Sequence, residues 1–149
     1  MDVNYVVQNI VKKYKTRSPY ELADATNIII HKNELGSILG YYYKAYRTKH
    51  IALNSNLVSG GPEERYVLAH ELGHSIMHPN ANTPFLKSNT YLSVDKMELD
   101  ANKFAMIYLI SDDDIKEVIE YQYTPEMLVQ LWGYKKELIE LRIKNFIWR

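Results

Sequence analysis

The run His70-Glu71-Leu72-Gly73-His74 constrains this chain more than any other feature of its sequence. Histidines four apart lie about 40° from one another around a helix, so both imidazoles leave the same side. Glu71 falls on the flank of that face, close enough to take a proton from a water at a shared metal without being a ligand itself. The neighbours favour the helix. Val67, Leu68, Leu72 and Ile76 offer apolar surface for burial, and Ser59-Gly60-Gly61-Pro62 places proline at a helix start. Pro79 restricts the residue ahead of it, so the helix is expected from about Pro62 to Met77, ending at or before His78.

Two imidazoles do not complete a catalytic zinc site, which takes three protein ligands and keeps one position open. Glycine at 77 and histidine at 80 would give the metzincin pattern; Met77 and Asn80 exclude it. The best source of the third ligand is Glu98-Leu99-Asp100-Ala101-Asn102. Glu98 and Asn102 share one helical face, with small Ala101 and Ala105 beside them and Gly73 as the matching gap opposite. Asp100 is the rival ligand. It sits about 200° round from Glu98, on the side of Lys96 and Lys103, and is expected in solvent. Glu98 is favoured. Asn102 is then expected to accept a hydrogen bond from the outer ring nitrogen of a liganding histidine, fixing its tautomer. His78 continues the histidine face, but about 12 Å along the axis from His70, too far to share an ion. Its expected role is a substrate contact or a cap at the helix end. His31 and His50 fall in the expected sheet and are read as structural.

Composition narrows the chemistry. The 149 residues contain no cysteine, so a metal site must be built from His, Asp and Glu. Such a site is more often catalytic than structural, and the lack of thiols fits a reducing cytoplasm. Lys plus Arg and Asp plus Glu are both 18, which removes the electrostatic footprint of a dedicated nucleic-acid binder. No segment approaches the roughly 20 apolar residues of a membrane span. Lys12, Lys13 and Lys15 follow the first apolar stretch, the reverse of a secretory signal. A soluble, unexported, cytoplasmic protein is expected.

Apolar spacing over Val3 to Tyr14 predicts a first helix, and Ser18-Pro19 opens a second through Ala25. Asn27 to Asn33, Leu39 to Tyr46 and His50 to Asn54 read as three strands of a small antiparallel meander. Pro79 to Ser93 reads as a long loop of the kind that serves function. Helices are then expected over about Val94 to Ile110, after Ser111, from Thr124-Pro125, and over Lys135 to Trp148 past Gly133. The layout is one domain over 1–149, with a core over 1–123 and a helical subdomain over 124–149. Leu128, Leu131, Leu138, Leu141 and Phe146 are read as core of that subdomain.

The run from His70 to Pro79, then Asn82-Thr83-Pro84-Phe85-Leu86, Ser93-Val94-Asp95-Lys96 and Glu98 through Ala105, resembles the ImmA/IrrE metallopeptidase family. The resemblance is close over 62–111 and plausible in layout elsewhere. It implies an α+β, zincin-like fold, with the small antiparallel sheet packed on a helical core and the C-terminal helices beyond. It places a zinc-binding glutamate at Glu98, four residues before Asn102, in agreement with the helix-face reading. Known members include phage and mobile-element proteins that cleave a partner helix-turn-helix repressor, so a protein substrate of that kind is implied.

The residues and the resemblance together imply Zn²⁺ on His70, His74 and Glu98, with Glu71 as general base. The strand His50 to Asn54 is a candidate sheet edge for an extended substrate. Two other classes compete. A non-proteolytic, zinc-containing protein would inactivate its regulator by binding alone. A DNA-binding regulator would use Thr124 to Arg149 as a helix-turn-helix, but five basic against three acidic residues there is too weak a charge signal. Direct nucleic-acid binding is not expected.

Overall fold

The computed structural model describes residues 1–146. Its elements, in chain order, are α1 (Val3–Tyr14), α2 (Pro19–Ala25), β1 (Ile29–Asn33), β2 (Ile38–Ala45), β3 (Thr48–Asn54), α3 (Pro62–Met77), β4 (Leu86–Lys87), a 3₁₀ turn (Thr90–Leu92), α4 (Lys96–Leu109), α5 (Asp112–Glu120), α6 (Pro125–Trp132) and α7 (Lys136–Lys144).

The helices begin where local chemistry satisfies their free amides. Ser18, Ser111 and Thr124 each accept a hydrogen bond from the third helical residue, and proline follows Ser18 and Thr124 directly. The expected start of α4 moves from Val94 to Lys96. Asp95 caps it, accepting from the amides of Met97 and Glu98 at 3.0 and 3.2 Å. The expected last helix reached Trp148, which lies outside the described residues; α7 is described to Lys144.

The sheet is mixed and four-stranded, in the order β1-β3-β2-β4, rather than a three-stranded antiparallel meander. β2 and β3 form the expected hairpin, but β1 lies parallel to β3, with Ile29 opposite His50 and Asn33 opposite Asn54. The fourth strand comes from the segment expected to be pure loop. Leu86 and Lys87 pair antiparallel with Gly40 and Ile38, and Pro84, lacking an amide hydrogen, stands where the ladder ends. β3 is therefore internal, and its candidacy as the substrate edge fails; among the described residues the unpaired edges are the outer side of β1 and the stretch of β2 beyond β4.

α3 is the central element. It lies between the sheet and α4, and Val67, Leu68, Ala69 and Leu72 are fully buried. Its first turn is anchored by Glu64, which binds the hydroxyl of Tyr20 on α2 at 2.5 Å and Lys32 on β1 at 3.2 Å. Burial opposes ionisation of Glu64, yet those bonds outweigh it and hold the carboxyl below its ordinary range. Two glycines set close approaches. A Cβ at Gly73 would lie 3.1 Å from the ring of Phe104, so the partner of the expected gap is Phe104 on α4. A Cβ at Gly40 would lie 2.7 Å from Val67 and 2.8 Å from the Ala52 carbonyl oxygen. Gly40→Ala should therefore push β2 off α3 and lower stability by about 1–3 kcal/mol, read as a lower denaturant midpoint.

The C-terminal helices pack back onto this core. Leu128 and Leu138 are buried as expected, Leu141 and Phe146 are half-buried, and Leu131 is 59% exposed. Ile139 and Arg142 take the buried positions on α7. Arg142 reaches the Ile110 carbonyl at 2.8 Å and Asp112 at 2.7 Å, tying α7 to the end of α4. No helix among the described residues is long and apolar enough to cross a membrane.

Candidate functional site

The helix period places Tyr66, His70, His74 and His78 in one column along α3, each four residues from the next. α4 crosses this column with its first two turns, which brings Glu98 in the first and Asn102 in the second opposite the two histidines. Asp95 fixes the first turn, and its free amides favour a carboxylate at position 98.

Glu98 reaches both imidazoles. One carboxylate oxygen is 2.7 Å from His74 Nε2, and the other is 3.4 Å from His70 Nε2. Burial alone would raise the Glu98 pKa, but the two histidines outweigh it and hold the carboxyl at about 2. Glu71 is fully buried, with one oxygen 3.9 Å from His70 Nε2. Its carboxyl is pushed up to about 8 by burial, with His74 opposing and Glu98 adding to the shift. His70, Glu71 and His74 each offer a ligand atom within 4.8 Å of the others.

The outer ring nitrogens are held differently. His70 Nδ1 lies 2.8 Å from Asn102 Oδ1, which also accepts from the Tyr66 hydroxyl at 2.5 Å. The Asn102 amide nitrogen donates to the Thr90 carbonyl at 3.3 Å. With the amide so oriented, Oδ1 accepts only, so His70 Nδ1 carries a proton and Nε2 is the nitrogen left to present a lone pair to a metal once its own proton is lost. His74 Nδ1 lies 3.0 Å from His78 Nδ1. His78 thus reaches a neighbouring imidazole, and does not approach His70.

Four atoms at the centre are buried without a hydrogen-bond partner: His70 Nε2, both Glu71 oxygens and one Glu98 oxygen. Unpaired buried polar atoms of this kind are costly unless something else satisfies them. Converging imidazole and carboxylate donors, with no thiolate, are the ligand set of an open catalytic metal site. The residues therefore fit a divalent metal ion. A cleft of about 450 Å³ reaches the site at Glu98, which lines it together with Phe85 and Asn89.

The spacing in the sequence anticipates the residues that meet here apart from Tyr66, and it misplaces Asp100. Tyr66 was hidden among thirteen tyrosines, although its i−4 spacing from His70 was a readable signal. Asp100, expected in solvent, is buried and held by Lys96 at 2.6 Å. This i,i+4 pair claims both of its oxygens, and its charge acts on His78 at the end of the histidine column.

The sequence pattern of peptidase family M78, the IrrE N-terminal-like domain, matches residues 23–144. Among curated proteins the chain is similar to uncharacterized immunity region protein 2 of Bacillus phage phi105, 41% identical over 97% of this chain and 93% of that protein. It is also similar to metallopeptidase ImmA of Bacillus subtilis strain 168, 31% identical over 92% of this chain and 75% of that protein. No solved structure matches. A match over most of the length, together with a buried His-Glu-His group on one helix, makes this chain a member of the ImmA/IrrE family of metallopeptidases.

Proposed function

We propose that the protein is a cytoplasmic, zinc-dependent endopeptidase that makes a site-specific cut in a partner helix-turn-helix repressor of a phage or mobile element. The observation that carries the proposal is the set of four orphaned donor atoms buried between α3 and α4. In this reading His70 and His74 through Nε2, and Glu98 through its carboxylate, hold Zn²⁺. The ion, when bound, acidifies a water and polarises the scissile carbonyl. Glu71 receives the proton of the attacking water and passes it to the leaving amine nitrogen. Burial makes this carboxylate a stronger base than a hydrated one, and a cation held beside it would keep it ionised near neutral pH, where burial alone would leave it protonated. Asn102, with Tyr66 behind it, holds His70 in the tautomer whose Nε2 lone pair is free; His78 is placed to do the same for His74. The similarity to a phage immunity-region protein supports a regulator as the substrate.

The test is to incubate the purified protein with the repressor encoded beside its gene, with and without a chelator, and to map new termini. One new pair of termini is expected, lost with chelator and restored by Zn²⁺. An intact repressor held in a stable complex would instead favour inactivation by binding alone.

A further inference from the structure

β4 covers only the Ile38–Gly40 stretch of β2, so from Tyr41 onward the outer edge of β2 has no strand partner among the described residues. Between that edge and the segment 79–85 runs a groove of about 660 Å³. Phe85 lines both this groove and the cleft that contains Glu98, so the two lie on either side of one aromatic ring. At the end near Glu98 the walls are aromatic: Phe85 packs on Tyr41 at 4.9 Å and Tyr41 on Tyr43 at 5.8 Å. The far end carries Lys44 and Arg47, and no carboxylate lines the groove anywhere. The Lys44 ammonium donates to the Asn80 side-chain oxygen at 3.4 Å, and neither cation has an ion-pair partner among the described residues. Arg47 is displayed from a tight turn in which it and the fully exposed Tyr46 both take positive φ, at 66° and 54°. Such turns favour Asn-Gly; two bulky residues there carry strain that a purely structural turn would avoid.

We propose that this groove selects an extended peptide segment of the substrate carrying an acidic side chain three or four residues from an aromatic one. The proposal rests on the peptidase reading above and adds its sequence preference. An unpaired strand edge suits an extended backbone, which gains main-chain hydrogen bonds there. Three residues of strand, Tyr41 to Lys44, span about 10 Å, which sets the separation between the aromatic wall and the cations. An aromatic side chain would then rest against Phe85 and Tyr41, and a carboxylate would meet Lys44 and Arg47. Stacking rings with cations also suit single-stranded nucleic acid. Two cations beside an open strand edge, in a chain with no net charge, favour the peptide.

The test uses the full-length Glu71→Gln protein, so that binding is read without turnover. Two fluorescein-labelled ten-residue peptides of Thr and Val would carry a central Phe, with two Glu or two Lys three and four positions away. Anisotropy at low salt should show the Glu peptide binding about tenfold tighter, a preference that shrinks in 0.5 M salt. Lys44→Glu/Arg47→Glu should reverse the preference and Lys44→Gln/Arg47→Gln should abolish it, with melting temperature confirming that both variants fold. Equal binding of the two peptides, no binding of either, or an unchanged preference in the Glu/Glu variant overturns the proposal. So does tighter binding of a labelled twelve-residue oligo-dT that the Glu/Glu variant loses. Cleavage by the unaltered protein without charge preference would sink this inference alone. Charge preference without cleavage would sink the peptidase reading and leave the groove as a peptide-binding site.

Discussion

Glu71→Gln should leave the protein with its full complement of zinc and slow cleavage about 10²–10⁴-fold. The two parts of this result separate a base from a ligand. Glutamine keeps the shape of glutamate but cannot take a proton from water near neutral pH. Both Glu71 oxygens are buried without a hydrogen-bond partner, and the closer one stands 3.9 Å from His70 Nε2. The side chain therefore stands beside His70 without a hydrogen bond to either histidine. Glu98, by contrast, already contacts both rings. Metal content by mass spectrometry and cleavage by appearance of new termini would be measured on the same sample. A parallel fall in both would make Glu71 a ligand, an option that the compactness of the His70-Glu71-His74 group by itself leaves open. Unchanged cleavage would remove Glu71 from the chemistry altogether.

The parts of this architecture that are written locally were legible in the sequence. Caps at Ser18, Ser111 and Thr124 and prolines at 19, 62 and 125 mark helix starts by satisfying or removing amides within one turn, so no distant partner is needed to find them. The meeting of Glu98 and Asn102 with the histidines was legible for the same reason: a four-residue spacing on each of two helices defines two faces, and only one pairing of them brings carboxylate to imidazole. Sheet order is different. The hairpin of β2 and β3 is local, but β1 beside β3 is a pairing between strands with another between them in sequence, and no pattern within either strand encodes it. β4 is two residues long, too short for any alternation to show. Leu131 was misread because an apolar residue on a short helix fits either face until the packing partner is known. Asp100 was misread because its lysine partner was taken as a sign of solvent, whereas Lys96 covers a carboxylate that is itself buried.

Glu98→Ala and Asp100→Asn should part company sharply in zinc affinity, and the contrast decides which carboxylate completes the site. Removing one of three protein ligands should weaken zinc binding by more than about 100-fold, the upper end of what loss of a mere supporting hydrogen bond costs. Asp100→Asn should stay within about threefold, because both of its oxygens are occupied by Lys96. Titration against a chelating dye reads both values on proteins whose folding is checked by thermal melting. The same comparison removes an ambiguity in the Glu98 contacts. Its carboxylate sits 2.7 Å from His74 Nε2, a distance that serves a plain buried hydrogen bond as well as neighbouring positions on an ion. A structural bond alone would make Glu98→Ala lower the melting temperature, leave an unpaired imidazole at the centre, and change zinc affinity little. A ligand would make zinc raise the melting temperature of the unaltered protein far more than that of Glu98→Ala, since an ion that binds only the folded chain stabilises it in proportion to the logarithm of its affinity. Equal zinc-induced shifts in the two proteins would move the third ligand away from Glu98. A loss confined to Asp100→Asn would transfer it to the rival that the helix geometry set aside.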